Sequence, residues 1–224
     1  MRIADIQPTT LSDFPGRVAC TVFTAGCNLR CPYCHNPSLI GGGGRLDEGA
    51  LWELLDRRRG RLDGVVFTGG EPTLHSDLPA IIQKVSDRGF EVKIDTNGTR
   101  PDALAELLAT DAIDYVAMDL KARPDRYDEL GGRDVAVTVE RSVQLIRERA
   151  PAFEFRTTWD ANIVDPGDFA ELAELAGDGP LYVQPVETDD VLDRGAVGET
   201  PSEPRKAICA ALGTVPSAIQ FRTD

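Results

Sequence analysis

Six apolar, β-rich runs recur along the chain with helical segments between them, at Val18–Phe23, Gly64–Thr68, Phe90–Asp95, Asp114–Asp119, Phe153–Thr158 and Leu181–Val186. That alternation is the signature of repeated βα units feeding one parallel sheet. The segments between the runs carry helix signals. Asp47–Arg59, Pro101–Ala109 and Val137–Arg149 place leucine and alanine at helical spacing, and Ser76 is positioned to cap a helix that runs through Arg88 and ends at Gly89. Asp165-Pro166 offers an N-cap and a first-turn proline, with Gly177 past the end. Thr200-Pro201-Ser202-Glu203 has the form of a capping box leading a helix that closes near Gly213. Six units fall short of the eight that close a full barrel. The expected fold is therefore α/β, a partial (β/α)6 barrel with an open parallel sheet and helices outside; a doubly wound open sheet is the alternative. We expect one domain over residues 1–224, with a lead-in over 1–17 and a C-terminal tail and helix over 187–224. Gly41–Gly44 reads as a flexible connector.

Just beyond the first of these runs lies Cys27-Asn28-Leu29-Arg30-Cys31-Pro32-Tyr33-Cys34, a C-x3-C-x2-C triplet holding three of the five cysteines. An iron–sulfur cubane with all-cysteine ligation and a structural zinc site each use four protein donors, so three leave one metal corner for another ligand. His35 follows directly, and a Cys3His zinc knot is the bland alternative. Adjacent residues rarely turn both side chains onto one metal without strain, which disfavours it. Cys20 and Cys209 read as buried small hydrophobes.

Composition narrows the class. At 42% hydrophobic over 224 residues the chain can bury a substantial core. It carries no apolar run of membrane-spanning length and no signal-like N-terminus, and its clustered, odd number of cysteines suits a reducing compartment, so it reads as cytoplasmic. Lys+Arg of 24 against Asp+Glu of 37 gives a net charge of −13, which disfavours nucleic acid as a partner and suggests a hydrated, salt-adapted surface.

In parallel βα architectures ligands bind at the C-terminal ends of the strands. Four consecutive runs end there in polar motifs: the cysteine loop, Thr68-Gly69-Gly70-Glu71-Pro72, Asp95-Thr96-Asn97-Gly98 and Asp119-Leu120-Lys121. Taken singly, each has a bland reading, as a turn, a cap or a solvated charge. Paired glycines let backbone approach a ligand closely, and Glu71 adds an acceptor. Asp95 and Asp119 can accept from ribose hydroxyls, and Lys121 can hold a carboxylate. Together they suit a ligand with an amine and carboxylate for the open metal corner, a ribose for the aspartates and a base beside Tyr33.

The triplet with an aromatic before its third cysteine, followed by Gly-Gly-Glu-Pro, resembles the radical S-adenosylmethionine superfamily. The stretch Thr9-Thr10-Leu11-Ser12-Asp13-Phe14-Pro15-Gly16, continuing through Val22–Asn28 and Cys31–Pro37, resembles the activating proteins of anaerobic ribonucleoside-triphosphate reductase, and similar phrasing occurs in pyruvate formate-lyase activating enzymes. The resemblance runs to about Gln184. It implies that Cys27, Cys31 and Cys34 hold one 4Fe-4S cluster and that S-adenosyl-L-methionine is the cofactor. In that scheme Tyr33 meets adenine, Gly69, Gly70 and Glu71 the methionine amine, Asp95, Asp119 and Lys121 the ribose and carboxylate, with Arg156 as a further contact. It also implies a flavodoxin- or ferredoxin-like electron donor and a glycyl radical enzyme as partner, with the large subunit of anaerobic ribonucleotide reductase favoured. No acid–base pair is required, and His75 reads as a bystander beside the turn. A radical enzyme acting on a small molecule, peptide or nucleobase, and a zinc-stabilised binding protein, are the competing readings. The acidic stretch Glu187–Glu199 carries no signal.

Overall fold

The computed structural model describes residues 1–222. A single eight-stranded sheet runs in chain order, β1 (Ile3–Thr10), β2 (Ala19–Thr24), β3 (Gly64–Gly69), β4 (Glu91–Thr96), β5 (Tyr115–Asp119), β6 (Phe153–Trp159), β7 (Leu181–Pro185) and β8 (Ile219–Phe221). Strands β2 to β8 are parallel and β1 is antiparallel to β2. The crossovers are α1 (Pro37–Ile40) and α2 (Glu48–Arg57), then α3 (Leu78–Ser86), α4 (Pro101–Leu108), α5 (Ala136–Arg149), α6 (Phe169–Ala176) and α7 (Pro204–Leu212). The sheet is open, ending at β1 and β8. All six expected strands are present within a residue or two. The additions are β1, from the expected lead-in, and β8, from the expected tail.

Side chains alternate across each strand. Val92 and Ile94 of β4, Val116 and Met118 of β5 and Phe155 of β6 join Leu78, Ile81, Leu104, Val143 and Ile146 of the helices in the main core. The opposite positions are polar at the same depth: Lys93 and Asp95, Tyr115 and Asp119, Glu154 and Arg156. The parallel register sets Asp95 beside Ala117 and Asp119 beside Arg156, so these groups share one face.

The loop between β1 and β2 closes the N-terminal end of that face. The Thr10 hydroxyl accepts from the amides of Ser12 and Asp13, and the Asp13 carboxylate accepts from the Thr21 hydroxyl. This turn drives Phe14, 3% exposed, against Ala19 and Val66, with its ring 6.1 Å from that of Tyr115.

Three local expectations are corrected. The Thr200–Glu203 capping box does not form: α7 starts at Pro204, and the Thr200 hydroxyl instead donates to the Trp159 carbonyl while accepting from the Val186 amide. Helix α3 begins at Leu78 with Asp77, not Ser76, at its N-cap. Cys20 is buried as expected, but Cys209 is exposed on α7. Within Gly41–Gly44, the Gly42 carbonyl accepts from the Arg2 guanidinium at 2.8 Å.

Candidate active site

The cysteine loop leaves β2 at Thr24 and is tied to the turns around it. The Asn28 amide donates to the Thr99 hydroxyl at 2.7 Å and accepts from Asn97 at 3.0 Å, which ties the loop to the turn after β4. The Arg30 amide donates to the Leu130 carbonyl at 2.7 Å, and its guanidinium caps the carbonyls of Cys27 and Leu29.

Cys27, Cys31, Tyr33, Cys34, Gly69, Gly70, Glu71, Asp95, Asp119 and Lys121 all line one cavity of about 230 Å³ at the C-terminal ends of β2 to β5. Leu29, His35, Asn36, Thr68, Thr96, Asn97 and Thr158 complete the lining; none of these was among the expected cofactor contacts. Arg156 is not part of the lining.

The two glycines answer first to the chain itself. Gly69 has φ +108, and a Cβ there would stand 2.6 Å from the Thr24 amide nitrogen; one on Gly70 would stand 2.0 Å from the Gly26 carbonyl oxygen. The turn can therefore lie directly on the entry to the cysteine loop, where the Gly70 and Glu71 amides donate to the Thr24 and Gly26 carbonyls at 2.9 and 2.8 Å.

Glu71 is fully buried, and its carboxylate accepts from the Thr73 amide and hydroxyl, the Thr96 hydroxyl at 2.8 Å and the Asn97 amide at 2.7 Å. Burial pushes this carboxyl up and the four donors oppose it. It welds the turn after β3 to the turn after β4. His75 is a second weld: its Nε2–H donates to the Ala25 carbonyl at 3.0 Å, and burial lowers its pKa, which keeps it neutral.

A ladder of alternating charge runs through one wall of the cavity, where Asp95, Asp119 and Lys121 line it. Lys93, 1% exposed, pairs with Asp95; Arg156 reaches Asp95 at 3.4 Å and Asp119 at 2.9 Å; Lys121 reaches Asp119 at 3.2 Å. Burial alone would raise the Asp119 carboxyl, but the charges of Arg156 and Lys121 outweigh it and bring it to about 2. Burial lowers Lys121, yet Asp119 leaves it raised overall, and Arg156 is raised the same way by its two carboxylates. Each oxygen of Asp95 and Asp119 thus has one ionic partner and keeps lone-pair capacity for a hydroxyl donor. Below the ladder Glu154 accepts from Tyr115 and pairs with Arg222. Lys93, Glu154 and Arg222 were not among the expected site residues.

The residues fit a metal–sulfur group with a polar organic ligand. Burial pushes the Cys31 thiol to about 11 and raises that of Cys27, so in the apoprotein both stay protonated and a metal must displace the proton. The Leu29 amide points at Cys27 Sγ, at 3.5 Å. The three thiols line a cavity; among the described residues no three His, Cys, Asp or Glu groups gather tightly around a point that one ion would fill. Tyr33 is 4% exposed and its hydroxyl has no hydrogen-bond partner within the chain, while Lys121 Nζ stands 5.8 Å from its ring centroid. A buried hydroxyl ordinarily has a partner, so this one suits a polar group entering the cavity.

An open parallel sheet with three cysteines in a loop after its first parallel strand, opposite a Gly-Gly-Glu turn, defines the class. The chain belongs to the Radical SAM superfamily, whose model matches residues 21–176. It is 32% identical over 211 residues to a Methanocaldococcus jannaschii protein provisionally named a glycyl-radical enzyme activating enzyme, covering 85% of this chain and 82% of that one. Among solved structures, Streptococcus suis SuiB bound to its precursor peptide SuiA superposes with a TM-score of 0.68 at 14% identity, over 91% of this chain and 48% of that one. A histidine-tagged anSMEcpe with bound AdoMet gives 0.57 at 21% identity, over 71% and 48%. The chain spans about half of each of these two proteins, and at such identities they share its fold.

Proposed function

We propose that this chain is a glycyl radical enzyme activase that uses one 4Fe-4S cluster and S-adenosyl-L-methionine. The observation that carries the reading is the gathering of Cys27, Cys31 and Cys34 with the polar ends of β3, β4 and β5 around one cavity; the named relative that covers most of the chain supports the activase class. The bound cluster and cofactor supply one-electron cleavage of a sulfonium bond and, through it, the power to take a hydrogen atom. The chain's own residues hold and orient. The three cysteines would ligate three irons and leave the fourth for the amine and carboxylate of the cofactor. Lys121 would face the carboxylate, Tyr33 the adenine, and Asp95, paired with Lys93 and Arg156, and Asp119, paired with Arg156 and Lys121, the ribose hydroxyls. Glu71 would act through the turn it fixes, presenting Gly69 and Gly70 to the amine. The client in this reading is the large subunit of anaerobic ribonucleotide reductase, the electron donor is flavodoxin- or ferredoxin-like, and the setting is the cytoplasm. Among the described residues no helix is long and apolar enough to cross a membrane.

The test is anaerobic iron–sulfide reconstitution followed by dithionite and S-adenosylmethionine, with assay for 5′-deoxyadenosine. Formation by the wild type and its loss in Cys31→Ala are expected. A glycyl radical signal in electron paramagnetic resonance, on adding the reductase subunit, is the expected second result. Zinc in place of iron, or iron without cofactor cleavage, would overturn the chemistry; cleavage without a protein radical would overturn the client.

A further inference from the structure

The segment between β7 and α7, uninformative as sequence, is pinned at both ends and in its middle. At its ends, the Thr200 hydroxyl joins the Val186 amide to the Trp159 carbonyl. Near its C-terminal end, the Gly198 amide donates to Asp160 Oδ1 at 2.8 Å, and the Asn162 side chain donates to the Ala196 carbonyl at 3.0 Å. Asp160 is fully buried. The same Oδ1 also takes the Asn162 amide, and its Oδ2 has no partner. A buried carboxylate with one oxygen unsatisfied is costly, and here it serves as the peg that two backbone amides require. In the middle, the segment crosses to the cysteine loop: the Leu192 amide donates to the Cys34 carbonyl at 3.1 Å and the Asp193 amide to the Pro32 carbonyl at 3.0 Å. A long irregular segment held in this way is more often functional than a passive connector.

We propose that residues 187–199 form a strap that positions the second half of the cysteine loop, Cys31 to Cys34, with Asp160 and Asn162 as positioning residues. Asn28 and Arg30 secure the first half of the loop against the turn after β4 and Leu130; after Arg30, the amides of Leu192 and Asp193 grip the backbone around Tyr33. The strap thereby holds two of the three thiols and the orphaned Tyr33 hydroxyl in register with the cavity. This inference rests on reading that loop as the metal-binding segment.

The strap can be lifted without touching the loop. A Cβ on Gly198 would stand 2.7 Å from the Asn162 amide nitrogen, and the backbone of Gly198 is not in the left-handed region, so Gly198→Ala pushes the strap off its peg and little else. Hydrogen–deuterium exchange on the full-length apoprotein is the direct measurement. In Gly198→Ala, and in Asn162→Ala should the first variant fold poorly, amides of 31–36 and of 187–199 should both exchange about tenfold faster, as loss of one or two hydrogen bonds gives. Segments β1 to β4 should not change. Acceleration confined to the strap, acceleration nowhere, or acceleration spread evenly through the chain would each overturn the proposal. After reconstitution, iron release to a chelator should be several-fold faster in the variant and the spectrum of the reduced cluster should shift; a wild-type spectrum and release rate would also overturn it. Because exchange is read on apoprotein, a failed reconstitution speaks against the proposed function and leaves the strap result standing.

Discussion

At the scale of single residues, the site is built mainly from groups that bind one another. Glu71 takes four donors with no exposed surface. Glu71→Gln should therefore cost about 2 kcal/mol in denaturant unfolding, since its NH2 must face either the Asn97 amide or the Thr73 and Thr96 donors; an unchanged unfolding midpoint would show that the network rearranges freely. Sequence revealed ten of the lining residues, because glycine pairs, acids and cysteines at strand ends stand out from apolar runs. It did not reveal their partners. Lys93 and Arg156 alternate with Ile94, Phe155 and Thr157 inside strand-like runs, and only the sheet register brings them to Asp95 and Asp119. Thr200 had a cap's spacing, but the carbonyl of Trp159, far off in sequence, took its hydroxyl.

At the scale of elements, the parallel strands were legible because each is a buried apolar run between turn residues. Strand β1 was not: Ile3–Thr10 contains Pro8 and mostly exposed or half-exposed side chains, the composition of an edge. Strand β8 has only three residues. The β1–β2 loop has a defined packing role in placing Phe14 at the closed end of the polar face. Phe14→Ala should destabilise by about 3 kcal/mol, the ordinary range for emptying such a site. Thermal unfolding would show it, and a loss below ~1 kcal/mol would mean that Tyr115 swings in to fill the space.

For the whole molecule, charge is the quantity that matters most. With a net charge of −13, exposed carboxylates outnumber what the surface arginines can pair, and their mutual repulsion opposes the compact state until salt screens it. The melting temperature should rise by a few degrees between about 0.05 and 1 M sodium chloride, where the screening length shrinks severalfold. A fall would mean that surface ion pairs such as Arg17–Glu91 contribute more than the repulsion costs.

The ladder from Lys93 through Asp95, Arg156 and Asp119 to Lys121 has a genetic corollary. Among the described residues Asp95 is the one ionic partner of buried Lys93, and Asp119 the one of Lys121, while each aspartate keeps a second partner in Arg156. Neutralising either aspartate therefore strands a lysine, and that penalty can be relieved by a compensating change at the lysine, so each aspartate and its lysine would diverge in concert, as linked replacements, rather than drift one at a time.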